Sequence, residues 1–125
     1  MIQLKNGERK SVQASVRNHL ISSDVGISSG GHDSAMNPHE ILETALAACT
    51  SITMQMYAAR RNIQIDDILI EVQTVSEGAQ SIISRKIQII GSVSDESKIK
   101  LLEIADKCPI HRLLESSIKI ETVSL

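Results

Sequence analysis

The feature that most constrains the fold of this chain is an uncharged stretch that runs from Thr44 to Ala59. Apolar residues recur through it at helical spacing, which predicts a helix. Much of the remaining surface is Ala, Ser and Thr, so we expect this helix to be buried on most sides. The stretch is too rich in Thr, Ser and Gln to span a bilayer. The predicted apolar stripe consists of Ile41, Leu42, Ala45, Leu46, Cys49, Ile52, Thr53 and Met56.

The start of this helix is marked by its own sequence signal. Asn37 is a good N-cap, Pro38 suits the first helical position, and Glu40 stands at the third. This is a capping-box arrangement with Asn in place of Ser or Thr. We therefore predict a helix from Asn37 to about Arg61, preceded by a loop over the Gly- and Ser-rich residues 26–37.

The other elements are predicted from alternation and turn signals. Residues 11–17 alternate as a half-buried strand and pair with residues 2–4 through an Asn6-Gly7 turn, with a short strand over residues 19–22. Residues 67–75 and 81–93 form an antiparallel hairpin, and helices follow over residues 95–107 and 109–115. Residues 117–123 form a closing strand. The class is α+β, with antiparallel sheets packed around a long buried central helix, in a single domain over residues 1–125.

Composition and charge exclude several functions. The chain has no Trp, no Phe and a single Tyr57, so it lacks the aromatic platforms that stack on single-stranded nucleic acid. Its formal net charge of -2 gives no basic footprint for a nucleic-acid backbone. Neither a signal peptide nor a run of apolar residues long enough to span a membrane is visible. We expect a cytoplasmic protein that binds neither nucleic acid nor membrane.

Two cysteines in a reducing compartment are free thiols, a redox pair or metal ligands. Cys108 precedes Pro109, which makes it the N-cap of a helix whose N–H groups favour a thiolate. His111 and Arg112 add positive character in the first turn. Cys49 lies in the middle of the uncharged helix, a position typical of a buried and inert cysteine.

Two kinds of chemistry are open to these residues. In a peroxide reductase one thiol attacks the O–O bond and the other closes a disulfide, and the apolar side chains near Cys49 would favour an organic hydroperoxide. In a metal site Cys108 and His111 would form a C-x-x-H pair, with Cys49 and either His39 or His32 as further ligands. A lone C-x-x-H is a weak zinc signal, so we predict neither a metal nor a cofactor.

Two motifs resemble a known family. Residues 37–42, NPHEIL, followed by residues 47–53, AACTSIT, resemble the signature helix of the OsmC/Ohr superfamily. Residues 108–111, CPIH, ahead of the strand-like residues 118–122, resemble its second signature. The resemblance runs in the same order from about Gly30 to the C-terminus.

The resemblance implies an intertwined homodimer and thiol-dependent reduction of organic hydroperoxides, with a dithiol such as a lipoyl group as reductant. It implies that Cys49 attacks the peroxide and Cys108 resolves, which reverses the order of reactivity that the residues alone suggest. It also implies an arginine from the N-terminal strands beside Cys49, for which Arg17 is the candidate. His111, in the Cys-Pro motif, completes the candidate site residues together with Glu40.

Two positions depart from the family pattern. In the hydroperoxide-resistance branch a glutamate ten residues before the helix cysteine partners the arginine, whereas here that residue is His39. Glu40 is nine residues before Cys49 and, at about 100° per residue, points half a turn away, so a capping role is favoured. His111 stands where the two best-known branches have Ser. The alternative function is a non-enzymatic dimer that binds an apolar or thiol ligand between its helices.

Overall fold

The computed structural model describes residues Met1–Leu125 and contains five strands and three helices. It confirms the α+β class. Contacts divide the chain into two compact units, Met1–Glu43 and Thr44–Leu125. The elements are β1 Gln3–Asn6, β2 Val12–Val16, β3 His19–Ser23, a 3₁₀ turn Ile27–Ser29, α1 Pro38–Arg60, β4 Asp67–Ser76, β5 Ile82–Ile90, α2 Asp95–Ala105 and α3 Pro109–Glu115.

The first unit contains a three-stranded antiparallel sheet in the order β1-β2-β3. The predicted β1–β2 hairpin is confirmed, and Gly7 lies in its connecting loop, which is wider than a two-residue turn. Asn6 pairs with Val12, and a wider loop closes between them with the Gly7 N–H donating to the Ser11 carbonyl at 2.8 Å. The β2–β3 turn is tight, and its first residue, Arg17, has a left-handed φ of 52°.

Asp24 organises the loop that leads from β3 to α1. One carboxylate oxygen accepts from the Val25 N–H at 2.8 Å, and the other accepts from the N–H groups of His32 and Ser34 and from the Ser34 hydroxyl at 2.6 Å. The Ser34 hydroxyl and then the Val25 N–H are the main causes that lower the pKa of Asp24 to about 2. The chain passes so tightly here that a Cβ at Gly31 would lie 2.1 Å from the Val25 carbonyl oxygen, so only glycine fits.

The start of α1 confirms the predicted capping box. The Glu40 N–H donates to the Asn37 side-chain oxygen at 3.0 Å, and the Asn37 N–H donates to the Glu40 carboxylate at 2.8 Å. Two N–H groups at the end of the helix, which have no partner within it, are thereby satisfied.

The core of the second unit lies between α1, α2 and the β4–β5 hairpin. Its fully buried side chains include Met54 of α1 and Leu101 of α2, each 0% exposed. Half-buried isoleucines of the hairpin, such as Ile68 and Ile87, pack against them. The buried row of α1 has a regular four-residue spacing and consists of Leu46, Thr50, Met54 and Ala58.

The predicted apolar stripe of α1 is therefore partly wrong. Leu46 is buried as expected, but Ile52 is 56% exposed and Met56 is 50% exposed. The helix instead turns to the core the face that includes Met54 and Ala58, which pack with Leu101 and Ala105 of α2. Thr50 lies on the same face, and its hydroxyl has hydrogen-bond partners there. Within the second unit, α1 thus carries one buried row and one apolar row that this chain leaves open to solvent.

The predicted closing strand over residues 117–123 is also wrong for this chain. No strand is present after α3, and Ile118, Ile120 and Val123 are 54%, 83% and 81% exposed. A strand requires hydrogen bonds from a neighbouring strand, and none is paired with this segment. None of the helices is long and apolar enough to cross a membrane.

Candidate thiol site

Cys108 lies at the centre of the best-defined polar cluster in the second unit. It is 0% exposed and caps α3, where its Sγ accepts from the His111 N–H at 3.3 Å. The Thr50 hydroxyl lies 3.8 Å from the same sulfur. The predicted N-cap position of Cys108 is therefore confirmed, and the sulfur has two polar neighbours.

Thr50 connects this sulfur to a buried cation. Its hydroxyl donates to the Leu46 carbonyl at 2.7 Å and accepts from Arg85 at 3.0 Å. The Arg85 guanidinium also donates to the Ala105 carbonyl at 3.3 Å and to the Asp106 carboxylate at 2.7 Å. The Arg85 side chain is only 11% exposed, whereas that of Asp106 is 68% exposed. The free-energy cost of burying this cation is offset by its three hydrogen bonds.

His111 extends the network toward solvent. Its Nδ1 lies 3.9 Å from the Asp106 carboxylate and its Nε2 lies 3.3 Å from that of Glu115. The backbone of this residue binds the sulfur while its side chain faces two carboxylates. His111, a candidate from the sequence, therefore contacts Cys108 through its backbone N–H, while its side chain lies near Asp106 and Glu115.

A cavity of about 160 Å³ opens beside this network. That volume suits an organic molecule about the size of benzene. Its lining contains both apolar and charged side chains, so it can accommodate a carbon chain and a polar group together. The lining includes Leu46, Ile83, Arg85, His111, Leu114 and Glu115.

Cys49 lies on α1 directly before Thr50. It is half-buried, and both cysteines are free thiols. Its neighbour Thr50 contacts Cys108, but successive side chains of a helix are turned by about 100°, so Cys49 points to a different face of α1. On the helix surface Cys49 is the half-buried member of a row whose other members, Ala45, Ile52 and Met56, are exposed.

The other two sequence candidates lie in the first unit. Arg17 is exposed at the β2–β3 turn. Glu40 is exposed in the first turn of α1, where its carboxylate is engaged in the capping box. The local geometry of Glu40 is accounted for by this structural role.

The alternative of a metal site at Cys108 and His111 is not supported by additional ligands in the structure. No three His, Cys, Asp or Glu side chains lie close enough together to hold a metal ion. The partners of Cys108 are instead a hydroxyl and a backbone N–H.

Arg85 and Thr50 are the residues that the sequence analysis missed. A signal was present for each of them. Arg85 is in phase with Ile83, Ile87 and Ile89 on the inward face of β5, where a charged residue is unusual unless it is paired. Thr50 likewise interrupts an apolar row of α1 at four-residue spacing.

Fold and site together define a small α+β protein with two free cysteines. A buried arginine, Arg85, is connected to one of them, Cys108, by hydrogen bonding through Thr50. The OsmC-like family model matches residues 31–123, so this chain belongs to the OsmC-like family, within the OsmC/Ohr superfamily. The resemblance inferred from the two motifs is thereby confirmed. No curated protein matches the chain.

Solved structures share the fold at low sequence identity. An osmotic-stress-induced and detoxification-response protein from Psychrobacter arcticus 273-4 is 20% identical to this chain. The match covers 90% of this chain and 85% of that protein, with a TM-score of 0.78. An OsmC-like protein from Mycoplasma pneumoniae is 21% identical over 92% and 86%, with a TM-score of 0.77. An organic hydroperoxide resistance protein OsmC from Legionella pneumophila is 17% identical over 92% and 88%, with a TM-score of 0.66.

Proposed function

We propose that this protein is a thiol-dependent organic hydroperoxide reductase that acts as a homodimer, with Cys49 as the attacking thiol and Cys108 as the resolving thiol. The observation that carries the proposal is the contact between Cys108 and Thr50, the residue next to Cys49, in a chain of the OsmC-like family. Family members include proteins named for organic hydroperoxide resistance, which supports the same substrate class.

The proposed reaction has three steps. The Cys49 thiolate attacks the outer oxygen of the hydroperoxide, the O–O bond breaks, and the alkoxide leaves as an alcohol after protonation. The resulting Cys49 sulfenic acid is attacked by Cys108, which forms a disulfide and releases water. A dithiol reductant, for which a cytoplasmic lipoyl group is the candidate, then returns both cysteines to thiols by exchange.

The cavity beside Arg85 and His111 supports an organic substrate, since it offers apolar and polar wall together. Arg17 is proposed as the cation that stabilises the Cys49 thiolate, because Arg85 is already engaged at Thr50 and Asp106. Glu40 and His111 remain candidates for the polar surroundings of the two thiols.

The test is peroxide consumption by purified protein with an organic hydroperoxide and a dithiol. Wild type should turn over and Cys49→Ser should be inactive. With the dithiol left out, Cys108→Ser should consume one equivalent of peroxide and form no disulfide within the chain. Arg17→Met should slow the first step, with Arg9→Met, at another turn of the same sheet, as a matched control. If wild type leaves the peroxide untouched and its thiols stay reduced, the reductase proposal is wrong.

A second candidate is a dimer that binds an apolar ligand without catalysis. It is favoured by one observation, an apolar cleft of about 240 Å³ on the sheet of the first unit. Its lining includes Leu4, Val12, Ala14, Ile21, Pro38 and Ile41. Saturable binding of a fatty acid or alkyl thiol by a protein that consumes no peroxide would support this candidate.

A further inference from the structure

The polar contacts at Cys108 form a continuous path from a cation to a thiol. Arg85 donates to the Thr50 hydroxyl at 3.0 Å, and that hydroxyl lies 3.8 Å from the Cys108 sulfur. All three residues lie in the second unit, and both Thr50 and Cys108 are 0% exposed. The capping of α3 does not require these contacts, because the His111 N–H already donates to the Cys108 sulfur.

We propose that Thr50 and Arg85 are positioning residues for the resolving thiol, holding the Cys108 sulfur in place and stabilising its thiolate through the Thr50 hydroxyl. The inference rests on the resolving role proposed for Cys108. It assigns to Arg85 a role at the second cysteine, distinct from that of a cation beside Cys49.

The hydroxyl of Thr50 can serve both protonation states of the sulfur. When Cys108 is a thiol, its S–H donates to the Thr50 oxygen, and the Thr50 hydroxyl donates to the Leu46 carbonyl at 2.7 Å. A thiolate only accepts, so the hydroxyl rotates toward the sulfur. The Leu46 carbonyl keeps its helical partner in that state. Arg85 donates to the Thr50 oxygen in both states and holds it within reach.

The resolving step needs this thiolate. Cys108 loses its proton, its sulfur attacks the sulfur of the Cys49 sulfenic acid, and the S–O bond breaks as the S–S bond forms. The leaving hydroxide takes up one proton, so one thiol and one sulfenic acid give one disulfide and one water. A sulfur held by the His111 N–H and the Thr50 hydroxyl is kept in place for that attack.

The charged groups around Cys108 have opposite effects on the stability of its thiolate. Arg85 faces the sulfur through Thr50, while Asp106 lies 2.7 Å from Arg85 and partly neutralises it. His111 follows on α3, with Glu115 on its far side. Loss of Arg85 should therefore disfavour the thiolate, and loss of the Asp106 charge should favour it. A merely structural cluster would respond to both losses in the same direction.

The experiment isolates Cys108 in the Cys49→Ser background and follows its thiolate by ultraviolet absorbance across a pH series. The double Cys49→Ser, Cys108→Ser protein supplies the blank for Tyr57. We expect the thiolate fraction at neutral pH to fall about threefold to tenfold in Thr50→Val and Arg85→Met, and to rise in Asp106→Asn. Thr50→Ser keeps the hydroxyl and should restore the wild-type titration.

Two results would overturn the inference. One is that Thr50→Val titrates as Thr50→Ser does, which would show that the hydroxyl does not act on the sulfur. The other is that Arg85→Met and Asp106→Asn move the titration in the same direction. If Arg85→Met fails to fold, Asp106→Asn and the Thr50 pair still decide the question.

A second measurement separates this inference from the reductase proposal. With Cys49 intact, one equivalent of an organic hydroperoxide is added and two products are followed: sulfenic acid by chemical trapping, and disulfide by loss of the second thiol. Thr50→Val should leave sulfenic acid formation unchanged and slow disulfide formation about tenfold. If wild type forms no sulfenic acid at all, the reductase proposal fails, whereas the titrations above still test the coupling of Thr50 and Arg85 to Cys108.

Discussion

At the scale of single residues, the Asp24 carboxylate makes the stability of the first unit depend on pH. Its pKa falls from an ordinary 3.8 to about 2 in the folded protein, chiefly through the Ser34 hydroxyl. A lowered folded-state pKa contributes stability above the unfolded value, and this contribution is lost as pH falls from about 4 toward 2. We expect the urea midpoint of the wild type to drop over this range. The midpoint of Asp24→Asn should be lower at neutral pH but should change less with pH below pH 4.

The matched control is Asp33→Asn, which removes a carboxylate from the same loop without touching the donors around Asp24. Its acid profile should follow that of the wild type, and Asn accepts the left-handed φ of 52° at this position. A profile for Asp24→Asn that parallels the wild type down to pH 2 would contradict the assignment.

Substitutions at Glu40 can distinguish a role in capping α1 from a role in peroxide reduction. Glu40→Gln keeps an oxygen for the Asn37 N–H and removes the charge, so the free energy of unfolding should change by less than about 0.5 kcal/mol. Asn37→Ala removes the other half of the capping box and should cost about 1 kcal/mol. Urea unfolding measures both. A Glu40→Gln protein of normal stability that no longer consumes peroxide would instead make its charge part of the chemistry.

Single residues also show what the sequence could predict. Asn37, Pro38 and Glu40 signal a capping box because every partner lies within three positions, and the structure contains it. Arg85 meets Thr50 across 35 positions of sequence, and no local pattern identifies that partner. Local hydrogen bonding is encoded in spacing, whereas a buried ion needs the tertiary fold to reveal what neutralises it.

At the scale of elements, the length and start of α1 were predictable but its orientation was not. A helix with apolar residues on several faces gives no unique core direction from periodicity. The direction is decided by Leu101 and Ala105 of α2, which pack against Met54 and Ala58. The strands of both hairpins were predictable from alternation, but the loop between β1 and β2 is set by a hydrogen bond from Gly7 to Ser11.

The orientation of α1 gives a direct prediction for stability. Met54→Ala removes a side chain that is 0% exposed from the centre of the second unit, so it should lower the free energy of unfolding by about 2–5 kcal/mol. Met56→Ala, two positions along the same helix, removes a side chain that is 50% exposed and should cost the folded chain less than about 1 kcal/mol. Unfolding is followed by circular dichroism in urea.

The result that would contradict this orientation is an equal loss for the two variants. If Met56 is covered by a second copy, its cost should grow with protein concentration, while that of Met54 should not. Measuring both variants at two concentrations therefore separates the core of the chain from a surface between chains.

At the scale of the whole molecule, two features of the chain remain without partners of their own. The α1 row of Ala45, Cys49, Ile52 and Met56 is apolar, and all of its members except the half-buried Cys49 are exposed. The C-terminal segment alternates as a strand does, yet no strand of this chain pairs with it. Both are explained if a second copy covers the row and supplies the neighbouring strand. In that case the sequence pattern, which predicts a helix buried on most sides and a closing strand, would describe the dimer and not the single chain.

The homodimer predicts a specific response to charge on this row. Full burial of a side chain such as Ile52 contributes about 1.5–3 kcal/mol, and a two-fold interface counts it twice, so Ile52→Lys should dissociate the dimer. Light scattering should give wild type twice the chain mass of 13.6 kDa and Ile52→Lys a single chain. Val75→Lys, at a 61% exposed position near the end of β4, is the control and should remain dimeric. Because Cys49 shares the row, Ile52→Lys should also lose more peroxide consumption than Val75→Lys does. A wild type that is monomeric at all concentrations would remove both the dimer and this account of the exposed row.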